Sequence, residues 1–154
     1  MLHMWRGLLR SEHPGYERSY IVLEDYVVYM DMIYYGNEEQ KARIGFMMMD
    51  VDGNGIIFFD GYRQFWINFF QMYGELLQTK FNYDDESDEV TKMCFELIAK
   101  MGSDEENEED QVPRKNEKGE ICFNFEDFKK AKEDRPDLFD WIDEPERYVS
   151  EFMR

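Results

Sequence analysis

The sequence predicts an all-α protein assembled from helix–loop–helix pairs, with short β-ribbons joining the loops. Three observations carry that expectation. Apolar residues recur at helical spacing in three stretches, Leu23 to Ile33, Tyr62 to Tyr73 and Val90 to Met101. Between the first two lies Asp50-Val51-Asp52-Gly53-Asn54-Gly55-Ile56-Ile57, in which oxygen-bearing side chains alternate and two isoleucines follow. A Gly-x-Ile echo of that run returns at Gly119-Glu120-Ile121 and implies a second loop of the same kind. At 154 residues the chain makes one domain of ordinary size, or two closely packed halves.

In chain order, Met1 to Arg10 lacks the unbroken apolar centre of a secretory signal and reads as a small amphipathic helix carrying Leu2, Trp5, Leu8 and Leu9. Residues 11–19 hold Pro14 and Gly15 and form a connector. Tyr20 to Tyr26 has the shape of the second half of a loop whose ligand positions fall on Pro14, Tyr16 and Arg18, none of them a carboxylate. The exit helix, Leu23 to Tyr35, lines up Leu23, Tyr26, Val27, Met30 and Ile33 on one face. Val28, Met32 and Tyr35 cover much of the other side, so this helix is apolar nearly all round. Gly36-Asn37 ends it, and a helix from Glu38 leads through Met47-Met48-Met49 into the central loop.

After that loop, Tyr62, Phe65, Trp66, Phe69 and Tyr73 fall at i, i+3, i+4, i+7 and i+11, and Ile67, Phe70, Met72 and Leu76 widen the face. A globular domain buries a stripe of about 100°. Arcs wider than that point to an exposed groove or a permanent partner, with a thick aromatic core as the plainer reading. Residues 78–87 are a polar connector, and Asp88 to Met101 is a regular amphipathic helix. Residues 103–118 hold an acidic insertion, Ser103 to Asp110, read as a solvated loop. Placing Gly119 at loop position 6 and Ile121 at position 8 puts Arg114, Asn116 and Lys118 where ligands belong, which rules out tight cation binding. A last helix opens at Asn124-Phe125-Glu126-Asp127-Phe128, and a tail over 133–154 carries Trp141 and Ile142, able to fill the protein's own groove or to dock on a partner.

The central loop resembles an EF-hand calcium loop. Asp50, Asp52 and Asn54 take ligand positions 1, 3 and 5, Gly55 permits the turn, and the carbonyl of Ile56 is the main-chain ligand. Position 12, where a bidentate Glu clamps the ion, is Gly61; position 9 is Phe58. About four protein oxygens remain of the roughly 6–8 that calcium takes, so calcium is expected to be held at the weak end, ~10⁻³ M, or not at all.

Composition bounds the partners. Aromatics make up 17% of the chain, with 13 Phe, 10 Tyr, 3 Trp and 11 Met, more bulky apolar volume than a minimal core needs. The net charge of −17 argues against nucleic acid and anionic membranes and favours basic partners. Cys94 and Cys122 have no metal-ligand spacing, and no apolar run reaches the ~18 residues of a membrane span. His3 and His13 stand outside any catalytic pattern, so no enzyme is expected.

From Tyr20 onward the order of elements resembles the later three EF-hands of the neuronal calcium sensor, potassium-channel-interacting and calcineurin B group. The stretches that carry the likeness are Leu23-Glu24-Asp25-Tyr26-Val27, Arg43-Ile44-Gly45-Phe46 and Phe70-Gln71-Met72-Tyr73-Gly74. It divides the single domain, 1–154, into 1–35, a remnant unit with its exit helix, 37–76, 88–132 and the tail, a truncated calmodulin-like array. The resemblance implies a hydrophobic crevice gripping an amphipathic or basic helix of a channel, kinase or phosphatase. Met30, Ile33, Tyr34, Tyr62, Phe65, Trp66, Phe69, Phe70 and Tyr73 are its expected lining. Leu2 stands where myristoylation needs Gly, so the family's membrane switch is not expected. The preferred reading is a constitutive, cytoplasmic interaction subunit of a cytoskeletal, ciliary or channel assembly. The alternatives are a calcium-responsive regulator using loop 50–61 and a regulatory subunit of a phosphatase or kinase.

Overall fold

A computed structural model describes residues 23–76, 85–102, 112–144 and 147. The expected helix at the start, the connector at 11–19, the acidic run 103–110 and the last residues of the tail lie outside them. Helix accounts for 72% of the structure, with one two-stranded sheet among the described residues, so the class is all-α. The order is α1 (Leu23–Tyr35), α2 (Glu38–Met49), β1 (Ile56–Phe58), α3 (Phe59–Leu76), α4 (Asp85–Lys100), β2 (Cys122–Asn124), α5 (Phe125–Asp134), a 3₁₀ turn (Pro136–Phe139) and α6 (Asp140–Asp143).

Local chemistry sets the helix starts. Asn37, read from sequence as the end of α1, caps α2 instead. Its side-chain oxygen accepts the Gln40 N–H and the Gln40 side chain accepts the Asn37 N–H, both at 2.9 Å. Glu38 and Glu39 then occupy the first turn, where the helix dipole favours negative charge. Asn124 and Asp127 repeat the reciprocal cap at the start of α5. The helix α4 begins at Asp85, inside the stretch expected to be a connector.

Strands β1 and β2 pair antiparallel, with Ile57 opposite Phe123. A ribbon of three residues a side is not stable alone in water. Here the inward residues Ile57 and Phe123 are buried in the core shared by α2, α3, α4 and α5. Two ion pairs brace the helices at the surface, Lys132 of α5 to Glu38 of α2 and Arg63 of α3 to Asp88 of α4.

The aromatic surplus goes mainly inward. Tyr62, Phe65, Trp66, Phe69 and Phe70 of α3 are all buried. Their outer side is covered by the tail: the Trp141 ring lies 5.1 Å from Phe65, 5.4 Å from Trp66 and 5.7 Å from Phe69, centroid to centroid. Gly45 of α2 makes room for it. A Cβ there would sit 2.7 Å from Ile142 Cδ1, so a side chain at this position would push the Ile142 side chain aside. Removing a buried Trp costs about 3–5 kcal/mol. Trp141→Ala is therefore expected to lose that much in urea unfolding, and a loss below about 1 kcal/mol would show that the tail is not part of the folded core.

A candidate cation loop and the apolar faces

The central loop is shaped by its own side chains. Asp50 ends α2, its N–H bonding the Phe46 carbonyl at 2.9 Å. Its Oδ1 accepts the Asn54 N–H at 3.2 Å and its Oδ2 the Gly55 N–H at 2.9 Å, while Asn54 Oδ1 accepts the Ile56 N–H at 2.8 Å. Gly53 and Gly55 have φ of 64° and 76°, a left-handed backbone that glycine adopts without strain, and this lets the chain turn so tightly. Burial pushes the Asp50 carboxyl above its usual range, opposed by the N–H groups of Gly55, Asn54 and Gly53, with the Asp52 charge raising it a little further.

The residues fit a divalent cation only in part. Asp50, Asp52 and Asn54 stand on one loop with Ile56, but both Asp50 oxygens and the Asn54 oxygen already accept backbone N–H groups. At Gly61, where a clamp would stand, an added Cβ would meet nothing within 4 Å. No group of three or more His, Cys, Asp and Glu gathers to hold a metal among the described residues. A calcium ion there would be held by the entrance of the loop alone.

The second loop repeats the first, two residues later than the sequence reading placed it. Asn116 Oδ1 accepts the Glu120 N–H at 2.9 Å, as Asp50 Oδ1 accepts that of Asn54. Gly119 N–H bonds the Asn116 carbonyl at 3.0 Å, as Gly53 bonds that of Asp50 at 3.1 Å, and the φ of Gly119 is 80°. Gly119 therefore matches Gly53, not Gly55, in agreement with the pairing of Ile57 with Phe123. The two glycines of the first loop, two residues apart, left both registers open to a sequence reading. In the observed register Asn116, Lys118 and Glu120 match Asp50, Asp52 and Asn54, and Asp127 matches Gly61.

The expected partner-binding residues divide into two groups. Tyr62, Phe65, Trp66, Phe69 and Phe70 lie in the core, Phe65, Trp66 and Phe69 directly against Trp141 and Tyr62 deeper, against Phe95 and Phe123. Ile33 and Tyr73 are half-buried and line a cavity of about 120 Å³ with Ile44, Met48, Met72 and Ile142. Met30 is half-buried on α1 and Tyr34 is 68% exposed. Helix α1 packs on α2 through Tyr29, Met32 and Ile33 against Ile44, Met47 and Met48. The rest of its apolar surface, Leu23 at 73%, Val27 at 55% and Tyr35 at 85% exposure, faces outward. Spacing in the sequence puts Arg114 at a ligand position of the second loop and opens the last helix at Asn124, but it does not pair Arg114 with Asp127.

Comparison with protein-family models, with curated proteins and with solved structures finds no match to this chain. No described helix is long and apolar enough to cross a membrane.

Two outcomes are expected of the central loop. Gly61→Glu has open space for its side chain and should tighten calcium binding from about 10⁻³ M to 10⁻⁵ M or better by calorimetry. No gain would show that the Asp50 end of the loop does not present its oxygens to an ion. Folding favours the protonated form of Asp50, so this residue opposes folding as pH rises through and above about 4. Asp50→Asn should melt higher than the parent at pH 7 and equally at pH 3. A lower melting temperature at pH 7 would show that the backbone hydrogen bonds outweigh burial.

Proposed function

We propose that this protein is a non-catalytic interaction subunit on an EF-hand-like scaffold, and that it binds a basic amphipathic helix of a larger cytoskeletal, ciliary or channel assembly. The observation that carries the reading is the outward apolar stripe of α1. Leu23, Val27 and Tyr34 recur at i, i+4 and i+11 on one helical face, and Tyr26 extends it, while the exposed Val28 and Tyr35 lie beyond Glu24 and Asp31. Exposed contiguous apolar surface of this kind marks interaction sites in soluble proteins. Glu24, Asp31, Glu38 and Glu39 stand exposed around it, and the whole chain carries −17, so a basic helix is the complementary partner.

The cavity of about 120 Å³ beside Ile33 supports the same reading, because it offers a pocket for one anchoring side chain next to the stripe. The alternative, a calcium-responsive regulator, draws support from the retained turn at Asp50 to Gly55. The two separate in one experiment. A synthetic Leu/Lys amphipathic helix is titrated into the full chain, with calcium and with chelator, and followed by tryptophan fluorescence. Equal affinity under both conditions, weakened about tenfold or more by Val27→Ser with Tyr34→Ser, is expected. Unchanged affinity in that variant would remove α1 from the site. Binding that needs calcium and is lost in Asp50→Ala would put the regulator reading first.

A further inference from the structure

The second loop does not fit a divalent cation, and what stands there instead is informative. Asp127 matches Gly61 across the paired loops, so its carboxylate holds the place at which a calcium loop carries its bidentate clamp. That carboxylate is 1% exposed. Arg114 Nε–H donates to its Oδ2 at 2.5 Å and Nη2–H to its Oδ1 at 3.0 Å, and the Asn124 N–H donates to Oδ2 at 3.1 Å. The two parallel guanidinium bonds grip both carboxylate oxygens as a bidentate ion would.

Arg114 itself is held from two sides. Its N–H bonds the Ala99 carbonyl near the end of α4 at 2.9 Å, and its carbonyl accepts the Cys122 N–H of β2 at 3.0 Å. At Gly102 an added Cβ would lie 2.4 Å from Asp127 Oδ1 and 3.0 Å from Arg114 Nη2. The end of α4, the strand and the first turn of α5 thus close around one guanidinium–carboxylate pair. The remaining loop oxygens are engaged elsewhere. Asn116 Oδ1 accepts the N–H groups of Lys118 and Glu120, both at 2.9 Å, and Glu120 Oε2 accepts from Asn116 Nδ2 at 2.8 Å. Lys118 places a second positive charge where the first loop has Asp52.

We propose that Arg114 is a built-in substitute for the divalent cation of the second loop, fixing α4 against α5 whatever the calcium concentration. A guanidinium stays charged at every physiological pH and cannot diffuse away, so the hold it gives is permanent. The inference rests on the geometry of this loop and not on the binding role of α1.

The test removes the two cations one at a time and uses calcium alone as the probe. Lys118 is exposed, so Lys118→Asp gives the loop a third carboxylate beside Glu120 and Asp127 at small structural cost while leaving Arg114 in place. It should give no added calcorimetric signal over the parent, because the place is taken. Lys118→Asp with Arg114→Gln should bind calcium about a hundredfold tighter than Lys118→Asp alone. Equal binding by the two variants, or a folded double variant that still ignores calcium, would overturn the proposal. Should the double variant not fold, the Arg114 Nε–H resonance of Lys118→Asp decides. Slow exchange with water and no shift in millimolar calcium are expected, whereas fast exchange or a calcium-dependent shift overturns it.

Discussion

The ring of Phe123 is where α2, α3, α4 and α5 meet. It is fully buried, and it touches Phe46 of α2, Tyr62 of α3, Phe95 of α4 and Phe128 of α5, at centroid distances between 5.4 and 6.3 Å. Each such pair contributes about 0.5–1.5 kcal/mol beyond the area it buries. The backbone of the same residue pairs with Ile57 in the ribbon. One residue therefore fixes the relation of the loops and the relation of the helices together. The ribbon is too short to persist without the core.

With the loops aligned through that pairing, their chemistry proves to be divided. The first has Asp50, Asp52 and Asn54 near its start and Gly61 at its exit. The second has Lys118 near its start and Asp127 at its exit. A closing charge is still needed around a buried carboxylate, because an unpaired one would cost several kcal/mol. Arg114 supplies it from just outside the loop. The first loop has no buried carboxylate at its exit and needs no such partner. The difference between the loops follows from where the carboxylate sits.

Much of this was legible from the residues. Helical periodicity located α1, α3 and α4, and the oxygen-bearing run from Asp50 located the central turn. What misled was local ambiguity. Asn37 follows a glycine, a pairing that ends helices, yet Gln40 three residues on makes it a start. Gly119 fits either glycine of the first loop until a strand partner chooses between them. The link from Arg114 to Asp127 joins residues thirteen apart across a turn, and neither periodicity nor spacing reports such a contact.

The aromatic excess is the remaining point, because composition gave its amount and not its destination. Wide apolar arcs on α1 and α3 raised the same expectation for both helices, and folding treats them differently. The arc of α3 is closed by Trp141 and Ile142, which reach it because the chain turns back at Pro136 and because Gly45 leaves the space. On α1 only the Tyr29, Met32 and Ile33 side meets another helix. Covering α3 from within the chain turns its rings inward, and leaves α1 with more exposed large apolar side chains than any other described helix. A protein of this charge that kept such a stripe exposed would be expected to select a basic, helical partner over a neutral one, since the acidic rim favours the first and repels anionic surfaces. In the proposed reading that selectivity would come from the placement of α1 against α2, outside the ring-lined core that Phe123 organises.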